Sequence, residues 1–309
     1  MTAAASLLSL SFCAQVVRIS VPYVLAALGG TMSERSGVVN IGLEGLLLGG
    51  AFASTAVALL CGDAAGPAAG LLAGVLAGLA LAALHALCVL RFRADAVISG
   101  VAVTLLASGG SRFLLKALYD SASNSPRIGG LAEAGPWAGG GGLSDFVGET
   151  LGSPLVMAAG GATLLAHALL FRTPFGLRLR AAGENPEALA ALGVSVSRLR
   201  WAGVLLSGAL GGLGGVWLAY DQHKFVAGMA AGRGYIALAA VILGGWRPLR
   251  VATACLLFGL AEAVGLRLSS GAVGAGGALV QALPYLVTLV VVALRASSQR
   301  PPRALGRPL

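Results

Sequence analysis

The residues of this chain that could carry chemistry are few, and they lie in or beside long apolar runs. The densest group is Gly29-Gly30-Thr31-Met32-Ser33-Glu34-Arg35-Ser36-Gly37-Val38-Val39-Asn40-Ile41-Gly42-Leu43-Glu44-Gly45. Ionisable and strongly polar side chains are costly to hold within a membrane, so Glu34, Arg35, Asn40 and Glu44 are candidates for a polar path. Five glycines and no proline leave two readings open. One is a plain cytoplasmic turn. The other is a helix broken inside the bilayer, whose freed N–H and C=O groups face the path. Glu262 lies in the middle of the run Leu256–Leu268, either as the buried partner of a polar group on another helix or as a path group. Asp95, beside Arg93, suits the positive end of a helix dipole and is expected to cap. His85 and His167 stand alone on apolar runs, which favours packing or helix–helix hydrogen bonding over metal ligation. Three scattered histidines make no metal set, and no HExxH, GxSxG or P-loop GxxxxGK(S/T) occurs. The expected chemistry is passage rather than catalysis, with no cofactor.

Helices must position these groups, and the composition says in what solvent. Hydrophobic residues make up 57% of the 309, charged residues 11%, and mean hydropathy is +0.87. Soluble domains carry about 25% charged residues, so there is too little charge here to coat a globule. The 47 glycines follow no Gly-X-Y period and sit inside apolar runs, which excludes collagen and argues against disorder. The chain is basic, with 21 Lys+Arg against 12 Asp+Glu and a pI near 10.1. Yet no basic cluster is interleaved with aromatics, so no nucleic-acid partner is expected. Cys13, Cys61, Cys88 and Cys255 are scattered without a CxxC and read as small apolar side chains in helix packing. Residues 1–11 show neither a basic n-region nor a following A-x-A site, so no cleaved signal peptide is expected.

A spanning helix needs about 20 apolar residues. Runs near 12–30, 43–61, 67–90, 96–116, 154–171, 201–220, 235–246, 251–268 and 278–294 predict eight full helices, with 235–246 short or broken. Long continuous runs fail the alternation of a membrane barrel, so the expected fold is all-α and polytopic, one transmembrane domain over 1–309. Thirteen bases follow alternate runs: Arg91 and Arg93; Arg172, Arg178, Arg180, Arg198 and Arg200; Arg247 and Arg250; Arg295, Arg300, Arg303 and Arg307. Positive charge marks the cytoplasmic side, which puts 172–200 and 295–309 inside, the loop 117–153 outside and the N-terminus outside. Gly70, Gly74 and Gly78 recur every four residues, as do Gly203, Ser207, Gly211 and Gly215, with Gly208 and Gly212 one position over. Such spacing lets helix backbones approach closely in lipid.

The segment 172–200 is the most informative part of the polar sequence. Asn185 before Pro186 reads as an N-cap followed by proline at the first helical position, with Glu187 placed for the dipole. The predicted helix Pro186–Leu192 stops at Gly193, where a Cβ would clash. It is either a stiff loop brace or a docking surface for a soluble partner.

Glu187-Ala188 through Gly193 resembles the EAA-x-x-x-G loop of ABC-importer membrane subunits, with Leu189 where that family often has a second alanine. Ser36–Gly45 and Gly232–Gly244 are similar to motifs of the ribose, branched-chain amino acid and nucleoside branch. Glu-Arg-Ser-Gly-Val-Val-Asn-Ile-Gly-Leu-Glu-Gly is most similar to the nucleoside-type permeases, and the likeness covers most of residues 20–295. The resemblance implies a plasma (inner) membrane permease embedded in lipid and paired with a second, related permease subunit. It also implies a cytoplasmic ABC ATPase and an external substrate-binding protein or lipoprotein as partners. Gly183, Asn185, Glu187, Ala188 and Gly193 would couple to the ATPase, and Asn40 and Glu44, with Glu34 and Arg35, would lie on the substrate path. Two rivals stand beside this reading. An ion-coupled secondary transporter would use Glu44 and Glu262 as proton sites, and it predicts inverted repeats that the sequence does not display. A lipid-modifying membrane enzyme would need a reactive cluster that the histidine and acid positions do not provide.

Overall fold

A computed structural model describes residues 10–129, 152–269 and 300–306, with isolated helical positions at 148, 286, 289, 290 and 293. The helices are α1 (Leu10–Arg35), α2 (Leu43–Gly62), α3 (Ala65–Arg91), α4 (Ala96–Tyr119), α5 (Pro154–Arg172), α6 (Pro174–Glu184), α7 (Pro186–Ala191), α8 (Val196–Asp221), α9 (Arg233–Leu243) and α10 (Pro248–Ser269). Among the described residues seven are long and apolar enough to cross a membrane: α1 to α5, α8 and α10. The protein is therefore an all-α polytopic membrane protein. The last apolar run, 278–294, and most of the loop 117–153 lie outside the described residues.

Sequence chemistry explains where the helices begin and end. α2 and α3 form an antiparallel hairpin that reverses at Gly62 (φ 71°), with Gly66, Gly70 and Gly74 of α3 packed on Ala58, Ser54 and Gly50 of α2. Asp95 caps α4, its carboxylate accepting from Val97 N at 2.8 Å and Ile98 N at 3.0 Å, the capping role its sequence position suggested. α6 was not foreseen. Thr173 accepts from Gly176 N at 3.1 Å and Pro174 occupies the first turn, the same cap-then-proline signal that marks Asn185-Pro186.

α8 is the centre of the bundle, packed on α1, α2 and α3, and its two small-residue stripes do separate jobs. Gly203 meets Ser36, Ser207 meets Gly29 of α1, and Gly211 and Gly215 meet Leu46, Leu47 and Ala51 of α2. One position over, Gly208 and Gly212 meet the α3 stripe. A Cβ on Gly212 would lie 2.5 Å from the Gly74 carbonyl oxygen, and one on Gly208 would lie 2.6 Å from that of Gly78. Backbone cannot yield as a side-chain tip can, so added bulk must separate the helices. Gly212→Val should lower the melting temperature sharply and abolish the monodisperse species in detergent, at a cost of roughly 3 kcal/mol or more. Gly109→Val should leave both unchanged, because its Cβ would enter open space. Equal behaviour of the two variants on size exclusion and thermal unfolding would refute this account of the packing.

The chain after α8 does not leave the bundle. Residues 223–227 lie against 123–128, with Ala227 N donating to Ser123 O at 2.8 Å and Ser125 N to Phe225 O at 2.9 Å. Phe225 is fully buried and meets Phe52 edge to face at 5.3 Å. The chain then enters the bundle, and α9 begins level with Tyr23 in the middle of α1 and ends beside Glu34 and Arg35 at its end. Eleven residues at about 1.5 Å each cover roughly half of a hydrocarbon core about 30 Å thick. The short apolar run is a half-helix.

Candidate functional site

The polar side chains within the bundle converge on the two ends of α9. At its head, Gly232 adopts φ 82°, a left-handed conformation that favours glycine. The Glu44 carboxylate, one residue into α2, takes Gly232 N at 2.8 Å on one oxygen and Gly234 N at 2.7 Å on the other. A Cβ at Gly234 would collide with the backbone nitrogen of Glu44, so glycine here permits the approach. Glu44 thus supplies from another helix what an N-cap supplies locally: acceptors for orphan N–H groups and a negative charge at the positive dipole end.

Arg233, between those glycines, forms an ion pair with Glu262 of α10 at 2.5 Å, and its other terminal nitrogen donates to Met229 O at 3.0 Å. The Tyr23 hydroxyl donates to the second oxygen of Glu262. Of the two readings left open for Glu262, the structure supports the partner of polar groups on other helices: Glu262 is partly buried and both of its oxygens are engaged.

At the tail of α9, Trp246 Nε1 donates to Glu34, and Arg35 Nε donates to Trp246 O at 3.0 Å. Arg35 also reaches Glu184 at the end of α6, with Nη1 3.7 Å from its carboxylate. Asn40 is almost wholly buried. Its amide donates to Ser207 Oγ of α8 at 2.9 Å, and its carbonyl oxygen accepts from Gly42 N at 3.1 Å. His85 bridges Ser99 and the Val39 carbonyl at 2.9 and 3.0 Å, the helix–helix hydrogen bonding expected of it.

α1 runs through Gly29 and Gly30 to Arg35 without interruption, and residues 36–42 form a buried turn. The broken crossing is at 222–232, ahead of α9. Arg233 entered the sequence reading only inside the Gly232–Gly244 motif and Ser207 only as a packing position, and Tyr23 and Trp246 were not singled out. A usable signal existed for Arg233, since an arginine and a glutamate in different apolar runs each need a partner.

At the other polar locus, Asn185 caps α7, its side-chain oxygen accepting from Ala188 N at 3.0 Å. Glu187 and Ala188 are exposed, Leu189 is buried, and Leu192 is 79% exposed. Gly183 lies so close to the Arg35 carbonyl that no Cβ would fit. Gly193 differs from expectation: nothing lies within 4 Å of where its Cβ would be, and glycine is favoured there by φ 74° rather than by a clash. The tail lies over this region, Ala304 N donating to Gly183 O at 2.8 Å and Gly306 N to Gly37 O at 3.0 Å. The cysteines also depart in part from the packing expectation, for Cys255 is buried but Cys13 and Cys61 are exposed. Among the described residues no group of three His, Cys, Asp or Glu could hold a metal ion.

Residues 12–292 match the family described as branched-chain amino acid transport system / permease component. The chain is 37% identical over 257 residues to the guanosine ABC transporter permease protein NupQ of Bacillus subtilis, covering 79% of this chain and 78% of that one. It is 35% identical over 304 residues to the nucleoside ABC transporter permease protein NupC of Lactococcus lactis, covering 93% and 92%. It is 33% identical over 255 residues to a putative glucose ABC transporter permease of Haloferax volcanii, covering 80% and 74%. A bundle of spanning helices, a half-helix held at both ends by charged side chains and these relationships agree: the chain belongs to the branched-chain amino acid transport system permease family, as a multi-pass membrane protein.

Proposed function

We propose that this chain is the permease subunit of an ATP-driven importer for nucleosides, with simple sugars the next class of solute. The observation that carries this reading is the likeness to two permeases named for nucleosides or guanosine, one of them over nearly the full length of both chains. The partners of this reading are a second related permease, cytoplasmic ABC ATPases and an external substrate-binding protein or lipoprotein. In reconstituted vesicles holding the full complex, labelled nucleosides should accumulate only with ATP inside the ATPase compartment, and excess glucose or leucine should not compete. Uptake driven by an ion gradient without ATP would overturn the reading.

The path in this proposal runs along α9. Glu44, Glu34 and Arg35 serve it by fixing the two ends of the half-helix, and Asn40 serves it by tying the α1–α2 turn to α8.

The orientation proposed places α6, α7 and the tail in the cytoplasm, supported by the thirteen bases gathered at one set of helix ends. Leu192→Cys should react with impermeant thiol reagents only from the cytoplasmic side, and Ala122→Cys only from outside, in a background lacking the native cysteines. The opposite labelling would reverse the assignment.

α7 is the proposed ATPase contact, its exposed face carrying Glu187, Ala188 and Leu192 around an anchoring Leu189. Six residues cannot hold a helix unaided, so cap and stop matter. Gly193→Val forces a β-branched residue into left-handed backbone at a cost of about 1–2 kcal/mol. Glu187→Lys puts a cation at the positive dipole end and reverses the charge offered to the partner. Both should reduce co-purification of the ATPase and uncouple hydrolysis from uptake, with solute binding by the external protein unchanged. Wild-type coupling in both variants would make α7 a loop brace only.

A further inference from the structure

α4 carries a polar stripe along one flank. Ser108, Arg112 and Lys116 recur every four residues in its C-terminal half, a spacing that lines them up on a helix. Leu106 and Phe113, on the other flank, are 53% and 72% exposed and suit lipid. Lys116 pairs with Asp120 at 3.8 Å. Arg112 is exposed, and among the described residues it forms no hydrogen bond or ion pair. Holding an arginine without a counter-charge in a spanning helix is costly, and residues so placed mark solute pathways. The surroundings show which way the stripe turns. A Cβ on Gly228, in the broken crossing 222–232, would lie 4.0 Å from Arg112 Nη2. The first turn of α2 seats both elements side by side. Glu44 takes the head of α9, and a Cβ on its neighbour Gly45 would meet the Thr104 backbone of α4 at 2.8 Å. Snorkelling to headgroups does not account for this placement. The nearer end of α4 lies about two turns beyond Arg112, at Tyr119, whereas a helical Cα–Cβ bond tilts toward the N-terminus.

We propose that Arg112 contacts the solute on its way to the head of α9 and selects, among nucleosides, those with a 6-oxopurine base. This rests on the nucleoside reading above and adds to it the residue that reads the base. A guanidinium is a rigid, planar fork of donors with no acceptor. It is satisfied by two adjacent acceptors on one edge of a ligand. O6 and N7 of guanosine or inosine form such a pair, whereas adenosine sets its N6 amino donor beside N7. Because Arg112 makes no bond within the described chain, its donors need not be released from a protein partner before they engage the base. Lys116, already held by Asp120, supports the positive field of the stripe without taking part in the reading.

The test uses the complete importer in vesicles, with the same external binding protein throughout, so that any change in preference originates in this chain. Labelled guanosine and inosine are compared with adenosine and uridine. Arg112→Gln should lower uptake of guanosine and inosine by about tenfold, the worth of one forked base contact, and leave adenosine and uridine close to wild type. Arg112→Lys keeps the charge but loses the fork, and should show the same selective loss. Lys116→Gln should leave all four solutes unchanged. ATP hydrolysis in the absence of solute should match wild type in every variant. Equal loss of all four solutes in Arg112→Gln would make Arg112 a structural or headgroup-anchoring residue and overturn the proposal. Wild-type uptake of all four by that variant, on a working importer, would overturn this inference alone. A wild-type importer that carries none of the four would bring down the nucleoside reading and this inference with it.

Discussion

Glu44→Leu should abolish uptake while the bundle still assembles. The carboxylate satisfies two buried backbone donors, Gly232 N and Gly234 N, at the head of α9. Leucine leaves both without an acceptor, at roughly 1–3 kcal/mol each, and removes the negative charge from the positive dipole end. Those losses fall on a helix of 11 residues that has little intrinsic stability. The packing of α8 against α1, α2 and α3 does not depend on Glu44, so the protein should still purify. Glu44→Gln keeps one acceptor oxygen and turns an amide NH2 toward the other donor, and should retain partial uptake. Two measurements separate a positioning role from direct contact with solute. Amides of residues 232–236 should exchange with solvent much faster in Glu44→Leu, and uptake should fall by the same factor for every solute carried. Solute-selective loss with unchanged exchange would make Glu44 a contact residue, and wild-type uptake would end the clamp hypothesis.

The Arg233–Glu262 pair should show strong coupling. Arg233 and Glu262 are partly buried; removing one member leaves the other charge uncompensated, at a cost up to the roughly 3–5 kcal/mol of a fully buried pair, whereas replacing both with apolar residues is often near neutral. Arg233→Leu and Glu262→Leu should therefore each lower the melting temperature severely, and the double variant should recover most of the loss. The coupling energy from the full cycle should exceed about 1 kcal/mol, above the range that independent sites show. Uptake should not recover with stability, because Tyr23 loses its acceptor and α9 loses its lateral anchor. Additive losses in the double variant would mean that the two residues act separately. The rival with Glu262 as a transported-proton site would regain ground only in that case.

How much could be read from the sequence differs by the kind of physics involved. The apolar runs of α1 to α5, α8 and α10 are visible because spanning lipid imposes length and composition residue by residue. The Gly70-Gly74-Gly78 stripe and that of α8 are visible for the same reason: small residues every fourth position are local patterns, although which stripe meets which is not. The cap at Asn185 and the stop at Gly193 are local grammar. α6 carries that grammar too at Thr173-Pro174, and its weak apolar pattern hid it. The ends of α9 are another matter. Glu44 and Gly232 are 188 residues apart, and Tyr23 and Glu262 are 239 apart. No local rule connects them. Sequence position marked Glu44 as a path residue, and only the tertiary arrangement shows two backbone amides using both of its oxygens.

The tail has a consequence for biosynthesis. Ala304 and Gly306 bond to Gly183 at the end of α6 and to Gly37 at the α1–α2 turn. Elements fold from the N-terminus while translation proceeds, at about 5–20 residues per second. The spans up to α10 can therefore enter the membrane and pack long before residues 303–306 leave the ribosome. Until then the neighbourhood of α7 lacks its last backbone ties. A chain released early, for example by a stop codon near residue 298, would keep its bundle yet leave the surface around α6 and α7 loose, a defect that hydrogen exchange at Gly183 and Gly37 would reveal.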